Sequence, residues 1–156
     1  MPTVWRDGLL SPFDDADRAN ETVWSGLEED DAWEGLLAIR GDLSARICSV
    51  PVFAYDLHLG DEVQLVLSAE NAPVITAVLR PSGNWTFRAR LEGEECDDPW
   101  LGLLHDLKDF DCVFDVYSPR LVAVSASASG ASAVSGLLAS RESAGELAYE
   151  TGATTA

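Results

Sequence analysis

From Ala32 to Arg80 the chain is a series of short Val-, Ile- and Leu-rich runs: Ala32 to Arg40, Ala45 to Ser49, Glu62 to Ser68 and Val74 to Arg80. Turn formers lie between the runs, at Gly41-Asp42, Leu59-Gly60-Asp61 and Asn71-Ala72-Pro73. Brief apolar runs bounded by Gly, Asp, Asn and Pro read as strands joined by tight connections, which pair with their neighbours in sequence. Residues 32–81 are therefore expected to form an antiparallel β meander or small barrel.

Beyond the turn Pro81-Ser82-Gly83-Asn84 the pattern changes. Trp85, Phe87, Ala89 and Leu91 alternate with Thr86, Arg88 and Arg90, the mark of a half-buried strand with a basic second face, whose Arg88 and Arg90 either pair with local acids or are covered by the other β unit or a partner. Asp98-Pro99 signals a helix start, and Trp100, Leu103, Leu104 and Leu107 recur at helical spacing, predicting a helix from about Pro99 to Asp109. Strands over Cys112 to Tyr117 and Leu121 to Ser127 flank Ser118-Pro119-Arg120, a connection short enough to force a hairpin. Ser129 is placed to cap a second helix over Ala131 to Ser140, with Val134, Leu137 and Leu138 as its buried stripe; Gly145 ends it. A last strand over Glu146 to Thr151 completes the order βαββαβ, so residues 82–152 are expected to form a ferredoxin-like subdomain. The predicted class is α+β, with a frayed tail at 153–156.

Residues 1–31 show no sustained apolar period and carry Asp14, Asp15, Asp17, Glu21, Glu28, Glu29, Asp30 and Asp31. They read as an acidic, partly ordered arm. Its Trp5, Leu9, Leu10, Phe13 and Trp24 are too apolar for a solvated tail, which leaves two alternatives: an extra packed strand, or a segment that folds on a partner.

Charge narrows the function. The 156 residues hold 27 acids against 10 bases, a formal charge of -17. Such a chain repels phosphates and anionic lipid, so nucleic-acid and membrane partners are disfavoured, whereas a basic protein surface is steered toward it. Solubility alone is the competing explanation. No apolar run approaches the roughly 20 residues that span a bilayer. Three widely spaced cysteines in a chain without a signal-peptide pattern point to reduced thiols in a cytoplasm.

The run Val50-Pro51-Val52-Phe53-Ala54-Tyr55-Asp56-Leu57-His58-Leu59-Gly60-Asp61-Glu62-Val63 resembles the heart of a bacterial family named Domain of Unknown Function 4265. The family's order of proline, aromatic, tyrosine and Gly-Asp-x-Val turn is met by Pro51, Phe53, Tyr55, Gly60 and Asp61. Ser82-Gly83-Asn84 leading to the strand with Arg88, and the closing Gly145-Glu146-Leu147-Ala148-Tyr149-Glu150, are similar to it as well. The resemblance covers about Trp33 to Gly152 and implies no reaction or cofactor. Families of this profile include neighbours of secreted toxins, where small acidic proteins act as immunity factors.

Each candidate constellation has a plainer structural reading. Gly60-Asp61 beside Tyr55, Asp56 and His58 is either a ligand-binding corner or, better, a turn in which Gly60 takes positive φ and Asp61 braces the backbone. Ser82-Gly83 with Arg80, Arg88 and Arg90 is either a phosphate cradle or, better, a turn. His58 and His105 stand in no metal-binding spacing, and Cys48, Cys96 and Cys112 form no C-x-x-C pair, so no metal or cofactor is expected. Cys48 and Cys112 fall in apolar runs and are expected to be buried; Cys96, among carboxylates, is expected to be exposed with a raised thiol pKa. Carboxylate runs read as solvated patches rather than catalytic dyads.

These observations favour a non-catalytic module that binds a basic protein, in the manner of an immunity or antitoxin-type protein occluding a toxin or enzyme. Its docking surface is expected at Asp14, Asp15, Asp17, Trp24, Glu28, Glu29, Asp30 and Asp31, aromatics within an acidic rim. A small-ligand-sensing domain of ferredoxin-like type is the alternative.

Overall fold

The computed structural model describes residues 1–29, 31–92 and 98–152. In chain order the elements are β1 (Thr3–Arg6), β2 (Leu9–Pro12), α1 (Asp14–Asp17), β3 (Glu21–Gly26), β4 (Trp33–Arg40), β5 (Ser44–Ile47), β6 (Glu62–Leu67), β7 (Pro73–Arg80), β8 (Trp85–Leu91), α2 (Pro99–Asp106), β9 (Cys112–Ser118), β10 (Leu121–Ala126), α3 (Ala131–Ser143) and β11 (Leu147–Thr151). They form an α+β architecture of a closed five-stranded barrel and a separate six-stranded sheet.

Strands β3 to β7 make the barrel. Consecutive strands pair antiparallel, and a parallel contact of β3 with β7, Trp24 opposite Val74, seals it. Alternating side chains fill the interior: Val23, Leu36, Ala38, Ala45, Ile47, Val63 and Leu65 are all buried. A lumen this narrow holds side chains only, so the small Ala38 and Ala45 share it with Leu and Ile. The meander expected over 32–81 is thus incomplete by itself, because β3 comes from the stretch read as an arm.

The second sheet runs β11-β8-β10-β9-β1-β2 with antiparallel neighbours throughout. One face packs Phe87, Ala89, Phe114, Val122 and Val124 against Leu103, Leu104 and Leu107 at α2 and Val134 and Leu138 of α3. The expected order of strands and helices from Trp85 is present, but the self-contained ferredoxin-like unit is corrected. Strands β1 and β2 widen the sheet to six, and its second face is buried against the loop after β5 rather than left open.

The hairpin β1–β2 turns on Asp7 and Gly8, with φ of 51° and 77°. An Asp-Gly pair with positive φ at both positions is the favoured two-residue hairpin turn, a signal that outweighs the acidity of the surrounding segment. Residues 1–29 therefore lie within the body of the protein, as the packed-strand alternative has it. At the helices, Gly130 rather than Ser129 holds the N-cap position of α3, and Asp98 at the start of α2 makes no side-chain cap bond. Cys48 and Cys112 are buried thiols. Asp30, Cys96 and the tail 153–156 lie outside the described residues.

Candidate functional site

The segment between β5 and β6 wedges between barrel and sheet, and three backbone devices hold it there. Glu34 of β4 accepts hydrogen bonds from the backbone N–H groups of Val52 (2.8 Å), Phe53 (3.0 Å) and Ala54 (2.7 Å). Three amides on one carboxylate fix the turn more firmly than neutral acceptors do. Gly60 adopts φ of 87°, and a Cβ there would lie 3.1 Å from the Ser82 Cβ, so handedness and space both require glycine. Asp61, 2% exposed, accepts from the backbone N–H of His58 (3.0 Å) and of Ser82 (2.8 Å).

Two motifs distant in sequence thereby become one knot. Asn84 Nδ2 donates to the Leu59 carbonyl at 2.8 Å, and its own N–H donates to Ser82 Oγ at 3.1 Å. The Ser82 amide is already bonded to a carboxylate, so the Ser82-Gly83 turn does not present a free cradle for phosphate. The knot joins the barrel to β8 and sets Pro51, Phe53, Tyr55 and Arg88 within one neighbourhood.

Beneath the loop, β8 turns polar side chains toward it. His58 Nδ1 lies 2.7 Å from Thr86 Oγ1, with both residues buried. Arg88 is 5% exposed: of the alternatives for the outward arginines, it is cover by the barrel-side unit that the structure shows. Its Nη2 donates to the Ala54 carbonyl at 2.6 Å, and the guanidinium carbon sits 5.3 Å from the centre of the Tyr55 ring. Nε and Nη1 are buried with no hydrogen-bond partner among the described residues. Burial pushes the guanidinium pKa below its ordinary value, while Glu150 and then Glu34 and Tyr55 act in the opposite direction. Gly152 closes the far side, where a Cβ would meet Arg88 Nη1 and the Tyr55 carbonyl, each at 3.3 Å.

Above these groups the loop's aromatic side chains reach solvent. Phe53 is 45% exposed and Tyr55 48%. Phe53 meets Tyr117 edge-on, ring centres 4.9 Å apart. Phe53 forms a wall between clefts of different character. One, of about 700 Å³, is bounded by Phe53, Tyr55, Asp56, Glu28, Glu29 and the Gly26-Leu27 pair. The other, of about 240 Å³, contains Arg88, Arg90 and Tyr149.

The expected docking residues are distributed unevenly over this surface. Asp14 pairs with Arg6 at 3.0 Å and Asp15 with Arg46 at 3.5 Å, so both are used within the chain, while Asp17 is exposed at the end of α1. Trp24 lies on the outer barrel wall with its ring over Gly35, 38% exposed. Asp31 is exposed, with φ of 62°. Among the described residues of that set, only Glu28 and Glu29 join the loop's Phe53, Tyr55 and Asp56 in a cleft. Glu34 and Thr86, central to the geometry, carry no sequence signal, because a single acid or threonine in a strand looks like any other.

The chain belongs to the family described as Domain of unknown function (DUF4265), whose model matches residues 34–149. The match starts after β3, so the first three strands of this chain lie outside it. A crystal structure of a hypothetical protein from Neisseria gonorrhoeae is similar in fold, with a TM-score of 0.69 and 22% sequence identity over 83% of this chain and 92% of that one. At that identity the likeness concerns fold alone. No curated protein matches the chain.

Proposed function

We propose that the protein is a non-catalytic binding module for a basic protein, and that its docking surface centres on the cleft between residues 26–29 and 53–56. The observation that carries this reading is the cleft's composition: Glu28, Glu29 and Asp56 beside the half-exposed rings of Phe53 and Tyr55. A lysine or arginine of a partner gains ring contact and carboxylate partners there at once. The net charge of -17 accelerates the encounter, and the hydrogen-bonded loop presents its aromatics without a large ordering cost. Occlusion of a toxin or enzyme in the cytoplasm, as an immunity or antitoxin-type protein, is the role that suits such a surface. Asp14 and Asp15, engaged internally, fall outside it.

Calorimetric titration with an arginine-rich peptide tests the cleft against charge in general. The triple variant E28Q/E29Q/Y55A should weaken binding about tenfold, roughly 1.4 kcal/mol. D42N/E70Q, with the same change in net charge at exposed positions elsewhere, should weaken it far less. Equal losses in the two variants would leave only non-specific attraction and end the reading.

A further inference from the structure

The smaller cleft on the other side of Phe53 has the opposite chemistry. Its walls are apolar at Val52, Phe53 and Tyr149, and its charged groups are Arg88, Arg90 and Glu150. In the pairing of β8 with β11, Glu150 stands opposite Arg88, so two cations face one carboxylate.

Arg88 is hard to account for as a structural residue. It is buried, yet among the described residues two of its three guanidinium nitrogens have no hydrogen-bond partner. Among the described residues the ion pairs engage Arg6, Arg40, Arg46 and Arg141, but neither Arg88 nor Arg90. With 27 acids against 10 bases in the chain, acidic partners are plentiful. A buried cation left short of hydrogen bonds costs free energy, and such groups in native proteins mark strain or a ligand. A guanidinium held beneath a cleft with apolar walls also focuses positive potential into that cleft.

We infer that this cleft binds a small carboxylic acid with an apolar body. The carboxylate meets Arg90 at the exposed rim and lies over the field of the buried Arg88, while the body packs against Phe53 and Tyr149. At about 240 Å³ the cleft falls just below the roughly 300–1,000 Å³ usual for ligand sites, so it suits a guest of about one ring. This site goes beyond the protein-docking surface and does not depend on it, since the two clefts select opposite charges.

Phenylacetate is the probe, followed by amide chemical shifts and calorimetry on the full chain, with phenylacetamide and 2-phenylethylamine as the neutral and cationic counterparts. Saturable binding of phenylacetate that moves the amides of Arg90 and Tyr149, at least tenfold tighter than the amide or amine, is expected. R90Q should weaken it about tenfold and E150Q should tighten it about threefold; both positions are exposed, so the variants should fold. R88M should remove the preference for carboxylate over amide. E28Q/E29Q should leave phenylacetate affinity within about twofold, which separates this site from the protein-docking cleft. Absence of saturable binding, equal affinity for phenylacetamide, or an unchanged affinity in R90Q would overturn the inference.

Discussion

From Thr86 to Ala89 strand β8 is buried on both faces, but the two burials differ in kind. Toward the helices it presents Phe87, Ala89 and Leu91, which meet apolar side chains. Toward the barrel loop it presents Thr86 and Arg88, which meet a histidine ring, a backbone carbonyl and a tyrosine face. The first face is stabilised by removal of apolar area from water and by close packing. The second depends on directional partners, and in Arg88 it leaves some unmade. A polar layer of this kind is a poor source of stability, because an unsatisfied group offsets what its neighbours contribute. On the two proposals above, function belongs to the barrel side, beside its solvent-open clefts, and stability to the helix side.

Four substitutions or titrations sharpen that contrast. F87A, at a ring with no exposed area on the helix face, should destabilise by about 3–5 kcal/mol in urea or guanidinium unfolding. A loss below about 1 kcal/mol would mean that the helix face is not the dominant core. G60A should cost about 1–3 kcal/mol, since its positive φ and the nearby Ser82 Cβ oppose any side chain. The knot should loosen with it, seen as faster hydrogen exchange at the His58 and Ser82 amides.

Titration separates the faces as well. Burial on the helix face, with Asp111 adding to it, pushes the Cys112 thiol from an ordinary 9.0 up to about 12. A raised folded pKa means that the stability tied to the protonated thiol is fully present below pH 9 and is lost as pH rises from 9 toward 12. Parent protein should therefore lose stability along that alkaline limb more steeply than C112A, measured by the denaturation midpoint at successive pH values. The native thiol should also resist alkylation at pH 8. R88M should show the smallest effect, within about 1 kcal/mol of the parent in either direction, because an apolar chain of similar length removes an underbonded buried charge. A loss of several kcal/mol would instead make Arg88 a structural residue and erase the distinction between the two faces.

The strands were readable because each is short, apolar and bounded by turn residues; β4, β6, β7, β8, β9 and β10 fall within a residue or two of their expected limits. Acidity obscured the N-terminal stretch, although Asp7-Gly8 between Trp5-Arg6 and Leu9-Leu10 carries a hairpin signal of its own. The Gly60-Asp61 turn was legible from residue type, since few residues other than glycine accept that backbone conformation. The site was only half legible. Phe53 and Tyr55 stood out within the family motif and cover over Arg88 was one of the alternatives its strand offered, whereas Glu34 and Thr86 did not stand out.

From Trp33 onward the sequence by itself determined where the chain extends, where it turns and where the two longer helices form, because propensity, period and turn chemistry act over a few residues. It also determined the net charge of -17. Only the tertiary structure decided that β3 closes the barrel, that β1 and β2 widen the sheet, and that Arg88 is covered rather than exposed. Those outcomes depend on which surfaces meet across long separations, as where the Asp61 carboxylate reaches the Ser82 amide or Glu34 gathers the amides of Val52 to Ala54. Alternation along a strand says that two faces exist; what lies against each face is settled by the rest of the chain.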